Sequence, residues 1–319
     1  MDYLLIVGGL VLLFFGGEAI LRGSIAIAQR LNLSTLLVSL VIVGFGTSLP
    51  ELMVSVTAAL GGVPNIALGN VVGSNIANIL LILGIAAILS PVACGRREMR
   101  RDMLMVLLAS VSLVALSLNG SMGRTTGMAM VASLVIYLAY AYFVERSHEK
   151  NGEELLQRVE RDIVAPTAVS FQMAALFCLA GLLFLAGGAY ALVEGATALA
   201  KQMGVSDALI GLTLVAVGTS LPELATVIVA AYRRHADVVI GNVMGSNLFN
   251  ILGILGTTII ITPMSIEGRI ADIDVWIMLA VAVALAPLIW RGSKIGRLEG
   301  TLFVTLYVLY ITWVYAVDI

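Results

Sequence analysis

The sequence is poor in charged residues, cysteine and histidine. Of its 319 residues, 12% are charged, two are Cys and two are His. Two cysteines, Cys94 near a predicted helix end and Cys178 inside an apolar run, argue against a disulfide framework. His148 and His235 lie in or beside predicted loops, and no HExxH motif occurs. A histidine-ligated zinc or copper site and a histidine-activated serine are therefore not expected in the apolar segments, and we do not expect an enzyme.

Basic tracts are absent as well. The net charge is −2, and no Lys- and Arg-rich run of the kind that contacts phosphates is present, so a nucleic-acid partner is not expected. The chain enters an apolar run directly after Tyr3, without a basic stretch or a small-residue cleavage signal, so we expect an uncleaved first helix. The sequence indicates neither a cofactor nor a protein partner.

Hydrophobic residues, in contrast, make up 60% of the chain, which is typical of an integral membrane protein in a lipid bilayer. Apolar runs of about 20 residues recur, the length that a helix needs to cross the hydrocarbon. Short strands of alternating polarity are absent, so the spans should be helical. We predict ten spans, at residues 4–28, 35–60, 64–89, 103–119, 125–144, 168–199, 206–231, 237–261, 273–290 and 299–317.

The basic residues predict the orientation of these spans. The connections after spans 1, 3, 5, 7 and 9 contain 14 of the 18 Lys and Arg residues, and the even-numbered connections contain three. The positive-inside rule then places the odd connections in the cytoplasm and both termini outside the cell membrane. We predict a first repeat at 1–144, a cytoplasmic linker at 145–165 and a second repeat at 166–319. Since each half has five spans, the repeats should be inverted relative to one another.

The two halves share a duplicated motif region. Gly-Thr-Ser-Leu-Pro-Glu occurs at 46–51 and 218–223, and Gly-Asn-Val-x-Gly-Ser-Asn at 69–75 and 241–247. At an offset of 172 residues, positions 44–91 and 216–263 are identical at 23 of 48 places. The matches include polar, Gly and Pro residues rather than only the Leu, Ile and Val that all membrane helices share. The region is therefore an internal duplication.

Each copy places a carboxylate directly after a helix-breaking proline. Pro50 cannot donate to the carbonyl of Gly46, so span 2 should be broken and backbone oxygens near Thr47 should be freed. Pro222 should act in the same way in span 7. Such carbonyls are tolerated at membrane depth only where they are buried in protein or line a wet cavity, so these breaks should line a site.

Ser48 with Glu51, and Ser220 with Glu223, also match the capping box that starts a helix. Capping alone would be satisfied by Gln, without a charge. An ionised side chain at the centre of the bilayer costs about 2.5 to 3.5 kcal/mol even on the mildest scale. Two such residues therefore imply a compensating cation or proton.

Spans 3 and 8 add small and polar residues to this site. The pairs Gly69/Gly73 and Gly241/Gly245 are small-xxx-small patterns that favour close helix packing. Four-residue spacing puts Ser74 and Asn78 on one helix face, as it does Ser246 and Asn250. Two carboxylates among hydroxyl, amide and carbonyl oxygens suit a hard cation, and Ca²⁺ takes about six to eight oxygens.

On these motifs the chain resembles the cation/calcium exchanger superfamily, in particular its prokaryotic sodium/calcium exchangers. The motif regions carry the resemblance and the ten-span layout extends it over the whole chain. It implies an all-α membrane protein of ten helices in two inverted five-helix repeats, with broken helices 2, 3, 7 and 8 around a central ion site. It also implies that spans 1 and 6 slide past the core to alternate access.

The resemblance implies a role for each matching residue. Calcium would be bound by Glu51 and Glu223 with backbone oxygens of Thr47 and Thr219. Sodium would be bound at Gly44, Ser48, Ser74, Asn78, Ala216, Ser220, Ser246 and Asn250. Some relatives carry Asp at the position of Asn78 or Asn250; here both are Asn, which argues against the potassium-dependent type.

The expected function is an electrogenic antiporter that exchanges about three Na⁺ for one Ca²⁺. A proton-driven Ca²⁺ exchanger of the same fold is the alternative, because two facing carboxylates repel and protons must compete for them. A third alternative is an intramembrane hydrolase with Ser48 or Ser220 as nucleophile or with the glutamates as a carboxylate pair, but no histidine lies in the apolar segments to activate a serine. A passive channel would differ by showing no gradient coupling.

Overall fold

The computed structural model describes residues 2–62, 64–149, 169–202, 216–265 and 268–318. Nearly all of these described residues are helical. The helices are α1 (Asp2–Leu31), α2 (Thr35–Thr47), α3 (Leu49–Leu60), α4 (64–89), α5 (Arg97–Ser117), α6 (Arg124–Glu149), α7 (Phe171–Gln202), α8 (Ala216–Thr219), α9 (Leu221–Tyr232), α10 (Ala236–Ile261), α11 (Ile270–Trp290) and α12 (Arg297–Asp318). Four two-residue strands join them: β1 (Val92–Ala93), β2 (Ser121–Met122), β3 (Met264–Ser265) and β4 (Lys294–Ile295).

Every predicted span coincides with a helix or a helix pair. Span 2 is the pair α2 and α3, and span 7 is α8 and α9, although residues 206–215 of span 7 lie outside the described residues. Helix α6 continues to Glu149, past the predicted end of span 5, and 150–165 of the predicted linker lie outside the described residues. Within the described residues six helices are long and apolar enough to cross a membrane, or seven when α2 and α3 count as one span.

The prolines break the two carboxylate-bearing spans as predicted. Helices α2 and α3 meet at Ser48 with a bend of 44°. Ser220 occupies the same place between α8 and α9, and its backbone angles, φ −88° and ψ 6°, nearly repeat those of Ser48, φ −85° and ψ 8°. Pro50 and Pro222 lie in the first turns of α3 and α9, where a missing amide hydrogen costs nothing.

The predicted breaks in spans 3 and 8 are not present. Helices α4 and α10 are continuous, and each departs from α geometry only through a π turn, Asn78–Leu83 in α4 and Phe249–Leu255 in α10. Their interiors contain no proline, so every amide can still donate along the helix. An irregularity in such a segment takes the form of a π turn, which is common at functional sites.

The strands show that the two repeats are inverted. Strand β1 follows the third span and β3 follows the eighth, so they are equivalent in the two repeats, yet β1 pairs with β4 and β3 pairs with β2. Helix α5 separates β1 from β2, and its 21 residues reach about 30 Å at 1.5 Å per residue. Equivalent connections therefore lie on opposite sides of the molecule, as inverted repeats require.

Helices α4 and α10 form the centre of the protein. Within an 18-residue apolar stretch of each helix, 94% of the residues are buried in α10 and 78% in α4, against 28% in α7 and 33% in α1. The outer pair α1 and α7 pack antiparallel through glycines at seven-residue spacing, listed here: Gly9, Gly16 and Gly23 on α1, Gly181, Gly188 and Gly195 on α7. A Cβ at Gly9 would lie 2.7 Å from the Leu192 amide nitrogen, so only glycine permits this approach.

Candidate cation site between the two repeats

Glu51 and Glu223 occupy equivalent buried positions in the first turns of α3 and α9. Their exposed fractions are 1% and 2%. The proline-induced break gives each carboxylate its own helix N-terminus, where the backbone dipoles stabilise negative charge. The break thus brings a favourable electrostatic environment to an acidic side chain within an apolar segment.

Each carboxylate accepts a hydrogen bond from the serine of the other repeat. Ser48 Oγ donates to Glu223 Oε1 over 3.0 Å, and Ser220 Oγ donates to Glu51 Oε1 over 3.2 Å. Neither serine caps its own helix through its side chain. The capping-box interpretation is therefore wrong for these two pairs, because serine and glutamate bind across the repeat interface instead.

The second oxygen of each carboxylate has no hydrogen-bond partner among the described residues. Glu51 Oε2 and Glu223 Oε2 are both fully buried, and so is the unpartnered Asn250 Oδ1. Leaving a buried oxygen without a donor costs free energy, more when the oxygen is charged. Buried oxygens without a donor are suited to bind a cation, because a cation is coordinated by oxygen lone pairs and not by hydrogen-bond donors.

Two asparagines that the sequence analysis left without a role hold the backbone beside the carboxylates. Asn70 Nδ2 donates to the carbonyl of Glu51 over 3.1 Å, and Asn242 Nδ2 donates to the carbonyl of Glu223 over 3.4 Å. Both are the Asn of the duplicated Gly-Asn-Val motif. Their identical place in both copies, next to the small-residue pattern, was the signal that could have marked them.

The other candidate residues lie around this pair. Ser246 Oγ is 3.4 Å from the carbonyl of Gly44, so α10 and α2 bring these two together across the repeat interface. Asn78 Nδ2 donates to Asn247 Oδ1 of the other repeat over 3.0 Å. Ser74 is buried on α4 but is not linked to the others by a side-chain hydrogen bond among the described residues.

The remaining candidates belong to the broken spans. Thr47 is buried at the end of α2, where its hydroxyl donates to the carbonyl of Val43 over 2.9 Å. Ala216 and Thr219 are the first and last residues of α8, and Thr219 is partly buried. Thr47 and Thr219, the residues whose backbone oxygens are calcium candidates, thus lie at the ends of the helices that precede the two breaks.

Two further buried carboxylates were not anticipated, and their surroundings differ. Asp102 accepts hydrogen bonds from Tyr137 and from Arg101, whose Nη2 is 2.8 Å away. Asp274, 172 residues later, accepts from Tyr310 over 3.0 Å and pairs with Arg269 at 3.1 Å. Each carboxylate is thus balanced by its own guanidinium. Each also accepts a hydrogen bond from a tyrosine of another helix and so joins two neighbouring helices. Of the four buried carboxylates among the described residues, only Glu51 and Glu223 lack a basic partner.

Inverted repeats that hold two uncompensated carboxylates on interrupted helices define the class of secondary transporters for cations. The chain matches the family described as sodium/calcium exchanger protein over residues 1–144 and 173–316. The chain belongs to this sodium/calcium exchanger family. It is accordingly a membrane antiporter of Ca²⁺ and another cation, not an enzyme.

Individual relatives can be aligned with nearly the whole chain. The putative antiporter CaxA of Alkalimonas amylolytica is 35% identical over 95% of this chain and 95% of its own. The sodium/calcium exchanger MaX1 of Methanosarcina acetivorans is 29% identical over 98% of this chain and 97% of its own. The sodium-calcium exchanger NCX_Mj, soaked with 10 mM Na⁺ and 10 mM Sr²⁺, superposes with a TM-score of 0.82 at 31% identity, over 98% of this chain and 97% of that one.

Proposed function

We propose that this protein is an electrogenic antiporter in which about three Na⁺ entering the cell drive one Ca²⁺ out. The observation that carries the proposal is the pair of buried, uncompensated carboxylates at the repeat interface, each with one oxygen held by the opposite repeat and one oxygen unpartnered among the described residues. Two negative charges would be balanced by one Ca²⁺ or by two of the sodium ions. The relatives named as sodium/calcium exchangers support the choice of ions.

Calcium would be bound by the carboxylates of Glu51 and Glu223 together with backbone oxygens of Thr47 and Thr219. Two bidentate carboxylates and two carbonyls supply six oxygens, within the range that Ca²⁺ accepts. The Ser48 and Ser220 bonds hold one oxygen of each carboxylate from the opposite repeat. The calcium site would thus assemble only when the repeats are in register.

Sodium would use neutral oxygens that surround the same carboxylates: Gly44, Ser48, Ser74, Asn78, Ala216, Ser220, Ser246 and Asn250. The unpartnered Asn250 Oδ1 and the approach of Ser246 to the Gly44 carbonyl support this set. Since the sodium and calcium sets share the carboxylates, the two ions exclude one another. Sequential occupancy of one site, opened alternately to each side, gives exchange without covalent chemistry.

Proton-driven Ca²⁺ exchange is the second candidate. The unpartnered oxygens Glu51 Oε2 and Glu223 Oε2 could each take a proton in place of a cation. Protonation would neutralise both charges and would leave the serine bonds to the other carboxylate oxygens in place. The fold and the carboxylates would then be the same, and the driving ion would differ.

Uptake of ⁴⁵Ca²⁺ into proteoliposomes distinguishes the two candidates. With Na⁺ inside, we expect uptake that is lost when choline replaces internal Na⁺ and that increases when the membrane potential is made inside-positive, because one net positive charge leaves per cycle. One charge crossing 100 mV is worth about 2.3 kcal/mol. Uptake that follows an imposed pH gradient and ignores internal Na⁺ would instead assign the protein to the proton-coupled type.

We further propose that both termini lie outside the cytoplasm, as the distribution of basic residues indicates. A membrane-impermeant maleimide applied to intact cells should label Asn119→Cys, at the exposed turn before β2, in a Cys94→Ser background. Ser293→Cys, at the exposed turn before β4, should be labelled only after the cells are opened. The reverse pattern would show that the orientation is the opposite one.

A further inference from the structure

The amide oxygen of Asn242 contacts two hydroxyls of the proposed ion site. Thr47 Oγ1 and Ser246 Oγ each lie 3.3 Å from Asn242 Oδ1, within donating distance. Asn242 itself is fully buried in α10, and its Nδ2 donates to the carbonyl of Glu223. That donation directs the amide nitrogen to Glu223 and leaves the amide oxygen for Ser246, since the one hydroxyl proton of Thr47 has a nearer acceptor in the Val43 carbonyl, at 2.9 Å.

Ser246 has one hydroxyl proton and two acceptors at nearly equal distance. Asn242 Oδ1 is 3.3 Å away and the Gly44 carbonyl oxygen is 3.4 Å away. When the proton points to Gly44, it occupies the lone pair that a cation between Ser246 and Gly44 would use. When it points to Asn242, both oxygens present lone pairs to the cation. Rotation about a single C–O bond connects the two states.

The equivalent position in the first repeat is built differently. Asn70, the counterpart of Asn242, donates to Ser55 Oγ over 3.0 Å, whereas the residue equivalent to Ser55 is Val227. Ser74, the counterpart of Ser246, makes no side-chain hydrogen bond to Asn70 among the described residues. The arrangement of two acceptors around one hydroxyl therefore occurs on the Asn242 side of the described site.

We propose that Asn242 is a positioning residue for sodium, because it accepts the Ser246 proton and so frees the Gly44 and Ser246 oxygens for the ion. This inference rests on the proposed sodium/calcium exchange. It assigns the bond from Ser246 to Asn242 an effect on sodium rather than calcium affinity, since neither Gly44 nor Ser246 belongs to the proposed calcium set. Asn242 does not touch the ion itself and acts through Ser246.

The test compares the Na⁺ concentration for half-maximal exchange with the KM for Ca²⁺ in reconstituted protein. For Asn242→Ala we expect the Na⁺ value to rise about three- to tenfold, the effect of one lost hydrogen bond, with a smaller change in the KM for Ca²⁺. Asn70→Ala is the matched control, because it also removes a bond to a glutamate carbonyl but Asn70 has no Ser74 hydroxyl at its amide oxygen among the described residues; it should raise the Na⁺ value less than Asn242→Ala does.

A double-mutant cycle tests the route through Ser246. In a Ser246→Ala background the hydroxyl is absent, so Asn242→Ala should add nothing to the Na⁺ value. Exchange of external ⁴⁵Ca²⁺ against internal Ca²⁺, which needs no Na⁺, shows that each variant is folded. An unchanged Na⁺ value in Asn242→Ala, an Asn70→Ala variant as impaired as Asn242→Ala, or a full additive effect in the Ser246→Ala background would overturn the inference. If wild-type uptake ignores Na⁺, the proposed function itself fails.

Discussion

Glu223→Gln should reduce Na⁺-dependent Ca²⁺ uptake about a hundredfold or more. The substitution keeps the size of the side chain and an acceptor for the Ser48 hydroxyl, which is 3.0 Å from Glu223 Oε1, but removes one of the two charges. Deleting one partner of a buried charge interaction costs about 3 to 5 kcal/mol, and about 1.4 kcal/mol corresponds to tenfold in affinity. Initial rates of ⁴⁵Ca²⁺ uptake into Na⁺-loaded proteoliposomes measure the effect.

Thermal unfolding in detergent separates lost binding from lost folding. Two like charges buried together destabilise the ion-free protein, so the melting temperature of Glu223→Gln without cations should equal or exceed that of wild type. Added Ca²⁺ should raise the melting temperature of wild type and not that of the variant, since a ligand stabilises only a fold that binds it. Glu194→Gln, on the exposed surface of α7, is the matched control and should behave as wild type. Uptake above a tenth of wild type in Glu223→Gln would contradict the assignment.

The duplicated motif predicted the centre of this protein well. Pro50 and Pro222 act through a missing amide hydrogen, a local property that does not depend on the surrounding fold, so the breaks at Ser48 and Ser220 could be placed from sequence. The inversion of the repeats was predicted from an odd number of spans. In the structure, the pairing of β1 with β4 and of β2 with β3 shows the inversion directly.

What the sequence could not predict depends on contacts between the repeats. Ser48 and Glu51 have the spacing of a capping box, and only the folded interface shows that Ser48 bonds to Glu223 instead. The breaks in spans 3 and 8 were expected from the family resemblance alone; no proline in the interior of α4 or α10 requires one, and both helices are continuous. Likewise, Asn70 and Asn242 are identical in their motifs, and their different neighbours arise from the packing of the folded chain.

The two small-xxx-small patterns were predicted to pack alike, and the structure separates them. At Gly73 a Cβ would have no neighbouring atom within 4 Å, whereas at Gly245 it would overlap the backbone of α2, contacting the Leu40 carbonyl oxygen and lying 2.9 Å from the Leu40 Cα. Gly44 is part of the same contact, since a Cβ there would lie 2.9 Å from the Gly245 Cα. Of these two positions, only Gly245 in the second repeat must be glycine for steric reasons.

Gly245→Ala should therefore reduce Ca²⁺ uptake about tenfold or more, and Gly73→Ala should leave it within about twofold. Backbone atoms cannot move aside as a flexible side chain can, so the added methyl group must push α10 away from α2. That displacement would separate Ser246 from the Gly44 carbonyl, now 3.4 Å apart, and would lower the melting temperature as well. At Gly73, replacing a helical glycine removes backbone entropy from the unfolded chain and should leave stability unchanged or slightly raised. The two variants make the same chemical change at positions that are equivalent in sequence. Equal losses of uptake in both would contradict the inference that Gly245 is needed for the contact between α2 and α10.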